Sequence, residues 1–195
     1  MTEKYKIIYA DPPWEYENKK TGRTNGDQPE GSGAHTKYPT MNLDELKALP
    51  IDDIADKDCV LFMWSTVPLL PEALELMKCW GFAYKTKITW RKIMSLGMGY
   101  WFRGQVEDLL LGVRGDIKAF RSQQPNFVEH KCLEHSRKPD IFRKIIEDAT
   151  KKIGSKRLEL FARGDKEERD LFGWNRFDGW DVFGNQIQSD LKIAI

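Results

Sequence analysis

The sequence predicts an α/β protein, a three-layer sandwich built on a mostly parallel sheet. Three observations carry the prediction. Short runs rich in β-branched and aromatic residues, at 5–10, 59–64 and 157–162, have strand length and composition. They alternate with segments of helical periodicity, the order that a parallel sheet with crossover helices requires. The run Cys59-Val60-Leu61-Phe62-Met63-Trp64 is apolar without alternation, as a strand covered on both faces should be.

Taken in order, Tyr5–Ala10 is a strand that stops at Asp11-Pro12-Pro13, where proline removes the donors a ladder needs. Asp11 therefore sits at a strand's carboxyl end. Residues 15–39 are polar and aperiodic, and so long a connection is expected to be a mobile lid. Asn42 followed by Glu45 is a capping-box pattern that opens a helix running to about Ala48. After the 59–64 strand, Leu74, Met77 and Trp80 place a helix over 71–80, and strands follow at about 83–90 and 106–113. Between those two strands, residues 92–105 read as a second loop facing substrate. Pro139 in a first turn, the apolar face Ile141, Phe142, Ile145 and Ile146, and Gly154 beyond the end punctuate the next helix. Strand Arg157–Ala162 comes next.

With 195 residues, the chain is expected to form one domain over 1–195, too short for an additional recognition domain. No apolar run approaches bilayer length, and the first residues lack a signal-peptide pattern, so a cytoplasmic location is expected. Cys59, Cys79 and Cys132 stand among apolar residues and read as reduced core thiols. They and His35, His130 and His135 lack ligand spacing, so no metal is expected. The net charge of +1 gives no overall pull toward a polyanion. Any such contact must come from local clusters: Lys19, Lys20 and Arg23; Arg91, Lys92 and Arg103; or Arg114, Lys118 and Arg121. Each can equally be a solvated surface.

Asp11-Pro12-Pro13-Trp14 carries the most chemistry. The Asp11 carboxylate and the Pro12 carbonyl are two hydrogen-bond acceptors, and the paired prolines fix the second in an extended geometry. Trp14 adds a flat face on which a base can stack. Two preorganised acceptors beside an aromatic plane suit the exocyclic amine of adenine, whose lone pair is delocalised and must be drawn toward pyramidal geometry. Alone, the tetrapeptide is as readily a turn after a strand.

Eight collinear blocks change its weight: Tyr9–Trp14, Tyr38-Pro39-Thr40-Met41, Leu61–Trp64, Trp80-Gly81-Phe82, Glu107–Val113, Ser136–Asp140, Glu159–Arg163 and Gly184-Asn185-Gln186. Together they resemble the MT-A70 family of S-adenosylmethionine-dependent adenine N6-methyltransferases over nearly the whole chain. The resemblance implies a Rossmann-like methyltransferase fold in permuted order, with the catalytic motif before the cofactor motif. It implies S-adenosylmethionine as cofactor, and a catalytic role for Asp11, Pro12, Pro13 and Trp14. Lys138 would meet the cofactor's methionine carboxylate, beside free N–H groups at a helix start. Asp11, Phe161, Arg163, Asn185 and Gln186 would complete the cofactor site, the last three holding ribose and adenine. Trp14, Tyr38 as a gate, Glu107 and Ser136 would contact the target base.

The pattern also departs from the family's. The eukaryotic member that methylates mRNA has a His-Asn pair just after the position of Arg163, where this chain has Gly164-Asp165-Lys166. Asp165 is the candidate to bond the ribose hydroxyls instead. Only ten residues precede Asp11, so the adenine pocket is expected to be more open or differently built. Small size resembles bacterial and phage members, which implies DNA as partner ahead of RNA; an RNA methyltransferase or a non-catalytic nucleic-acid-binding subunit is the alternative. Near-neutral charge predicts weak intrinsic affinity, or help from a second subunit or a homodimer. Trp64, Trp80, Phe82 and Phe142 read as core. Trp101 and Phe102, next to Arg103, read equally as core or as a nucleic-acid contact.

Overall fold

In the computed structural model, residues 4–15, 39–93, 101–120, 122–132, 137–167, 169, 173 and 175–191 are described. The strands are β1 (Tyr5–Ala10), β2 (Ala55–Thr66), β3 (Ala83–Ile93), β4 (Val106–Arg114), β5 (Phe127–Lys131), β6 (Arg157–Leu160) and β7 (Asp181–Phe183). The helices are α1 (Leu43–Lys47), α2 (Ile51–Ile54), α3 (Leu70–Cys79) and α4 (Ile141–Thr150). The seven strands make one sheet in the order β5-β3-β4-β2-β1-β6-β7. β4 runs antiparallel to β2 and β3, whereas the β1–β2, β1–β6, β3–β5 and β6–β7 pairs are parallel. Six strands therefore point their carboxyl ends at one edge, and β4 brings its amino end there.

Alternation along β1 divides the core between two faces. Ile8 and Ala10, with Leu61 and Met63 of β2, pack against Leu46 of α1, Ile51 of α2 and Ala73, Leu76 and Met77 of α3. Ile7 and Tyr9, with Val60, Phe62 and Trp64, pack against Phe142, Ile145 and Ile146 of α4. The result is the predicted three-layer α/β sandwich, Rossmann-like and mostly parallel. Each such buried side chain is worth about 1.5–3 kcal/mol of transfer free energy, so both faces are strongly specified. Gly112 of β4 is needed for α3 to seat, because a Cβ there would lie 2.8 Å from Met77 Sδ. Trp64, Trp80, Phe82 and Phe142 are all core, as expected.

The capping box forms as predicted, with Asn42 Oδ1 accepting the Glu45 N–H at 2.9 Å and Glu45 Oε2 accepting the Asn42 N–H at 2.8 Å. Other expectations need correction. Met77 and Trp80 are buried as expected, but Leu74 is exposed, and Ala73 and Leu76 complete the inward face of α3 in its place. Of the cysteines only Cys59 is buried, and burial pushes its thiol up to about 12. Cys79 ends α3 and Cys132 follows edge strand β5, so both are exposed. Helix α4 begins at Ile141, two residues beyond Pro139, and β6 stops at Leu160 because Phe161 turns to a positive φ of 63°. The β2 strand extends well beyond 59–64, and α2, β5 and β7 were not anticipated. Trp101 and Phe102 are 94% and 91% exposed, which excludes the core reading for them. Among the described residues, no helix is long and apolar enough to cross a membrane.

Candidate active site

The site lies where strand direction and chain topology require it. From β1 the chain passes through α1 and α2 on one face of the sheet; from β6 it passes to Trp180, which packs on the other face. Adjacent strands whose connections leave on opposite faces open a crevice at their carboxyl ends, the usual ligand position in such sheets. The Asp11 N–H reaches the Leu160 carbonyl at 3.4 Å and closes the floor of that crevice.

At the exit of β1, the Asp11 carboxylate receives Lys138 Nζ on both oxygens, at 2.9 and 3.0 Å. The same ammonium stands 3.4 Å from Glu107 Oε2 and 5.4 Å from the centre of the Trp64 ring. Glu107 enters at the amino end of β4, opposite Thr66 of β2 and Trp90 of β3, and takes a second ion pair from Lys92. Lys92, Glu107, Lys138 and Asp11 thus form a charge-balanced chain of four, drawn from β3, β4, the lead-in to α4 and β1. Burial by itself would lower the Lys138 pKa, but the carboxylates of Asp11 and Glu107 outweigh it and hold the group above the ordinary lysine value. Burial likewise pushes Glu107 up, and Lys138 and Lys92 overcome it, so its net shift is downward. Both shifts favour the charged form, so Lys138 and Glu107 stay charged across the neutral range.

The rest of the tetrapeptide is locked from below. The Pro12 carbonyl accepts the Trp14 N–H at 2.9 Å, and the Pro13 carbonyl accepts the Met41 N–H at 2.8 Å. Trp14 is only 8% exposed, and its indole N–H donates to the Trp64 carbonyl at 3.3 Å. These bonds fix the acceptors before any ligand arrives. The Pro12 oxygen keeps a second lone pair; the Trp14 ring is mostly a wall of the core, with little of its face open.

Beyond Pro13 runs a cleft lined by Pro13, Pro39, Phe161, Ala162, Arg163, Asn185 and Gln186. Parallel pairing of Arg163 with Gln186, and the Ala162 N–H to Phe183 carbonyl bond at 3.0 Å, hold its two walls together. Gly184 permits this closeness, since a Cβ there would collide with the Ala162 carbonyl. Phe161 adopts its left-handed backbone at the head of the cleft. Such a conformation costs a non-glycine residue about 1–3 kcal/mol and is found where the fold over-determines it.

The sequence-predicted residues therefore divide. Asp11, Glu107 and Lys138 come together, and Pro13, Phe161, Arg163, Asn185 and Gln186 line the adjoining cleft. Asp165 is exposed, caps the Glu167 N–H at 2.8 Å, and is not among the lining residues. Tyr38 and Ser136, most of the 15–39 lid and part of the 92–105 loop lie outside the described residues, as do Lys19, Lys20, Arg23 and Arg121.

Sequence reasoning missed two features. Lys92 looked like one charge of a basic cluster, but it is the counterion of Glu107, and its neighbour Arg91 pairs with Glu129. Behind the site, Arg143 of α4 pairs with Glu159 of β6 through contacts of 2.5–2.7 Å, and both are buried. Arg143 also binds Asp140 at 2.9 Å and lies 5.5 Å from the Tyr9 ring centre. A charged residue amid an apolar strand, Glu159 in Leu158-Glu159-Leu160, was the available signal.

The MT-A70 family model matches residues 5–186. The chain is 35% identical to the type II methyltransferase M.MunI of Mycoplasma sp over 99% of its own length and 82% of that protein. It is 26% identical to the putative N(6)-adenosine-methyltransferase MT-A70-like of Medicago truncatula and 25% identical to the human N(6)-adenosine-methyltransferase catalytic subunit METTL3. Those matches cover 94% of this chain in each case, but only 26% and 28% of the respective relatives. With the family pattern spanning every strand of the sheet, from the start of β1 to the residues just after β7, the chain belongs to the MT-A70 family.

Proposed function

We propose that this protein transfers a methyl group from S-adenosylmethionine to the N6 amino group of adenine in nucleic acid, with DNA as the polymer. The observation that carries the reading is the Asp11 carboxylate held on both oxygens by Lys138, two residues before Pro13 of the cleft wall. DNA is favoured because the likeness to the type II methyltransferase is greater, and covers far more of the relative, than that to the N(6)-adenosine enzymes.

The residues present fit the cofactor. The cleft pairs an apolar floor at Pro13 and Phe161 with the Arg163 guanidinium and the Asn185 and Gln186 amides, a combination suited to ribose and adenine. Lys138 is the cation available for the methionine carboxylate, and Asp11 the anion for its ammonium. When bound, the cofactor supplies an electrophilic methyl on a sulfonium. Asp11 and the Pro12 carbonyl accept the two N–H bonds of the target amine and turn its lone pair toward that methyl. Lys138 holds the Asp11 carboxylate in place, so the acceptor needs no reorganisation. The new N–C bond would form as the sulfonium's S–C bond breaks and its electron pair returns to sulfur, and one proton of the methylated nitrogen would then pass to solvent.

A tritiated-methyl assay on single-stranded DNA, duplex DNA and RNA of one sequence tests the reading. Transfer to adenine N6 in DNA is expected, with Asp11→Ala abolishing turnover while calorimetric binding of S-adenosylmethionine is weakened but retained through Arg163, Asn185 and Gln186. Near-normal activity of that variant would remove Asp11 from the mechanism. Transfer to RNA alone would replace DNA as the polymer, and cofactor binding without transfer would favour a non-catalytic partner subunit.

A further inference from the structure

Trp101 and Phe102 are the most exposed large hydrophobic residues described, at 94% and 91%. They lie between the end of β3 and the start of β4, and that junction opens beside the charge chain. The Lys92 N–H donates to the Gln105 carbonyl at 2.8 Å, Lys92 pairs with Glu107, and Glu107 faces Lys138. Five Cα–Cα steps separate Phe102 from Glu107, a reach of at most about 18 Å. The aromatic pair is thus tethered to the rim on which the target base would be held.

We propose that Trp101 and Phe102 form a wedge that enters the base stack of duplex DNA and occupies the place vacated by the adenine delivered to Asp11. The proposal rests on the nucleic-acid reading above. A base removed from a duplex leaves a gap whose walls are aromatic faces, and apolar side chains inserted between base steps are a known way to hold such a gap open. Two adjacent aromatic side chains, projecting almost wholly into solvent, have the size and shape for this. Their combined surface is roughly 300–500 Å², against the roughly 800 Å² per partner of a stable protein interface. By area, they match one or two base faces better than the contact surface of a second copy. Arg103 follows directly, placing a cation where the backbone of the opened step would pass.

Because these side chains bury almost nothing, Trp101→Ala and Phe102→Ala should fold normally, and unchanged melting temperature and S-adenosylmethionine affinity provide the check. The measurement is kcat/KM for methyl transfer to duplex DNA and to the single strand of the same sequence, with 2-aminopurine fluorescence at the target position reporting base extrusion. The double variant should lose about tenfold or more on duplex, with the fluorescence rise, and stay within about threefold of the parent on the single strand. Equal loss on both substrates, no loss on either, or a parent enzyme that ignores duplex DNA would overturn the wedge. A parent that sediments as a dimer and a variant that sediments as a monomer would assign the pair to self-association instead. If the parent binds S-adenosylmethionine yet methylates none of the polymers, the nucleic-acid reading itself fails, and the wedge with it.

Discussion

Lys138 donates to both carboxylate oxygens of Asp11, at 2.9 and 3.0 Å, while standing 3.4 Å from Glu107. One ammonium thus separates two acidic groups whose side chains are 21% and 13% exposed. Lys138→Met removes the shared cation and leaves two carboxylates facing across the site. Breaking a buried pair costs about 3–5 kcal/mol, and the partial exposure here brings the expectation down to about 2 kcal/mol. Urea unfolding checks this value. Lys138→Arg should recover most of the stability, because the charge remains.

The same arrangement sets a pH window. The Glu107 pKa is lowered in the folded protein, so its contribution to stability is present above its unfolded value and disappears as pH falls through the folded one. The Lys138 pKa is raised, so its contribution is complete below the unfolded lysine value and is lost only as pH climbs through the higher folded one. The stability difference between the parent and Glu107→Gln should therefore be constant from about pH 6 to about pH 9. Below about pH 4 it should shrink. Denaturant midpoints measured along that series would expose an inflection near neutrality, which this picture forbids.

Much of this was legible in the sequence because strong local signals agreed with the fold. The 5–10 strand, the Asn42–Glu45 capping box and the two-sided burial of β2 each follow from residue types a few positions apart. What stayed hidden depends on distant partners. β5, reading Phe-Val-Glu-His-Lys, and β7, only three residues long, are edge strands formed by pairing with β3 and β6 and not by their own apolar content. The candidate site divides in the same way. Asp11 is announced by its prolines and Lys138 by the family resemblance, but nothing near Lys92 in the chain says that it will meet Glu107, fifteen residues later.

That unforeseen pairing leads to a third test. Lys92→Met should leave Asp11 and Lys138 in place, yet deprive Glu107 of one of two counterions. The Glu107 pKa would then rise from its depressed value, so the acid limb of the activity profile should move to higher pH. A purely structural lysine would lower stability without shifting the profile, and Lys92→Arg should restore the limb to its original position.

Behind the site, Arg143 and Glu159 are almost wholly enclosed, and Arg143 also anchors Asp140 ahead of α4. Arg143→Met or Glu159→Leu alone strands a buried charge and should cost about 3–5 kcal/mol. The double variant should be far less destabilised than the sum, because two apolar side chains of similar volume can fill the space. A double-mutant cycle in urea measures the coupling. Additive losses would mean that each residue matters through other partners.

Gly184 offers the sharpest probe of the cleft, because its role is one of space. A methyl group there would meet the Ala162 carbonyl, so Gly184→Ala must push the segment after β7 away from that after β6. The bonds from Ala162 N–H to Phe183 and from Gly164 N–H to Gln186 lie on either side of the collision, and both should weaken. Overpacking of this kind costs about 1–3 kcal/mol. Since Arg163, Asn185 and Gln186 belong to those two segments, S-adenosylmethionine affinity should fall by about tenfold or more, while the Asp11–Lys138 pair on the far side of Pro13 is undisturbed. Calorimetry with the cofactor, alongside thermal unfolding, separates the two effects. A variant that melts earlier but binds S-adenosylmethionine as tightly as the parent would place the cofactor outside this cleft.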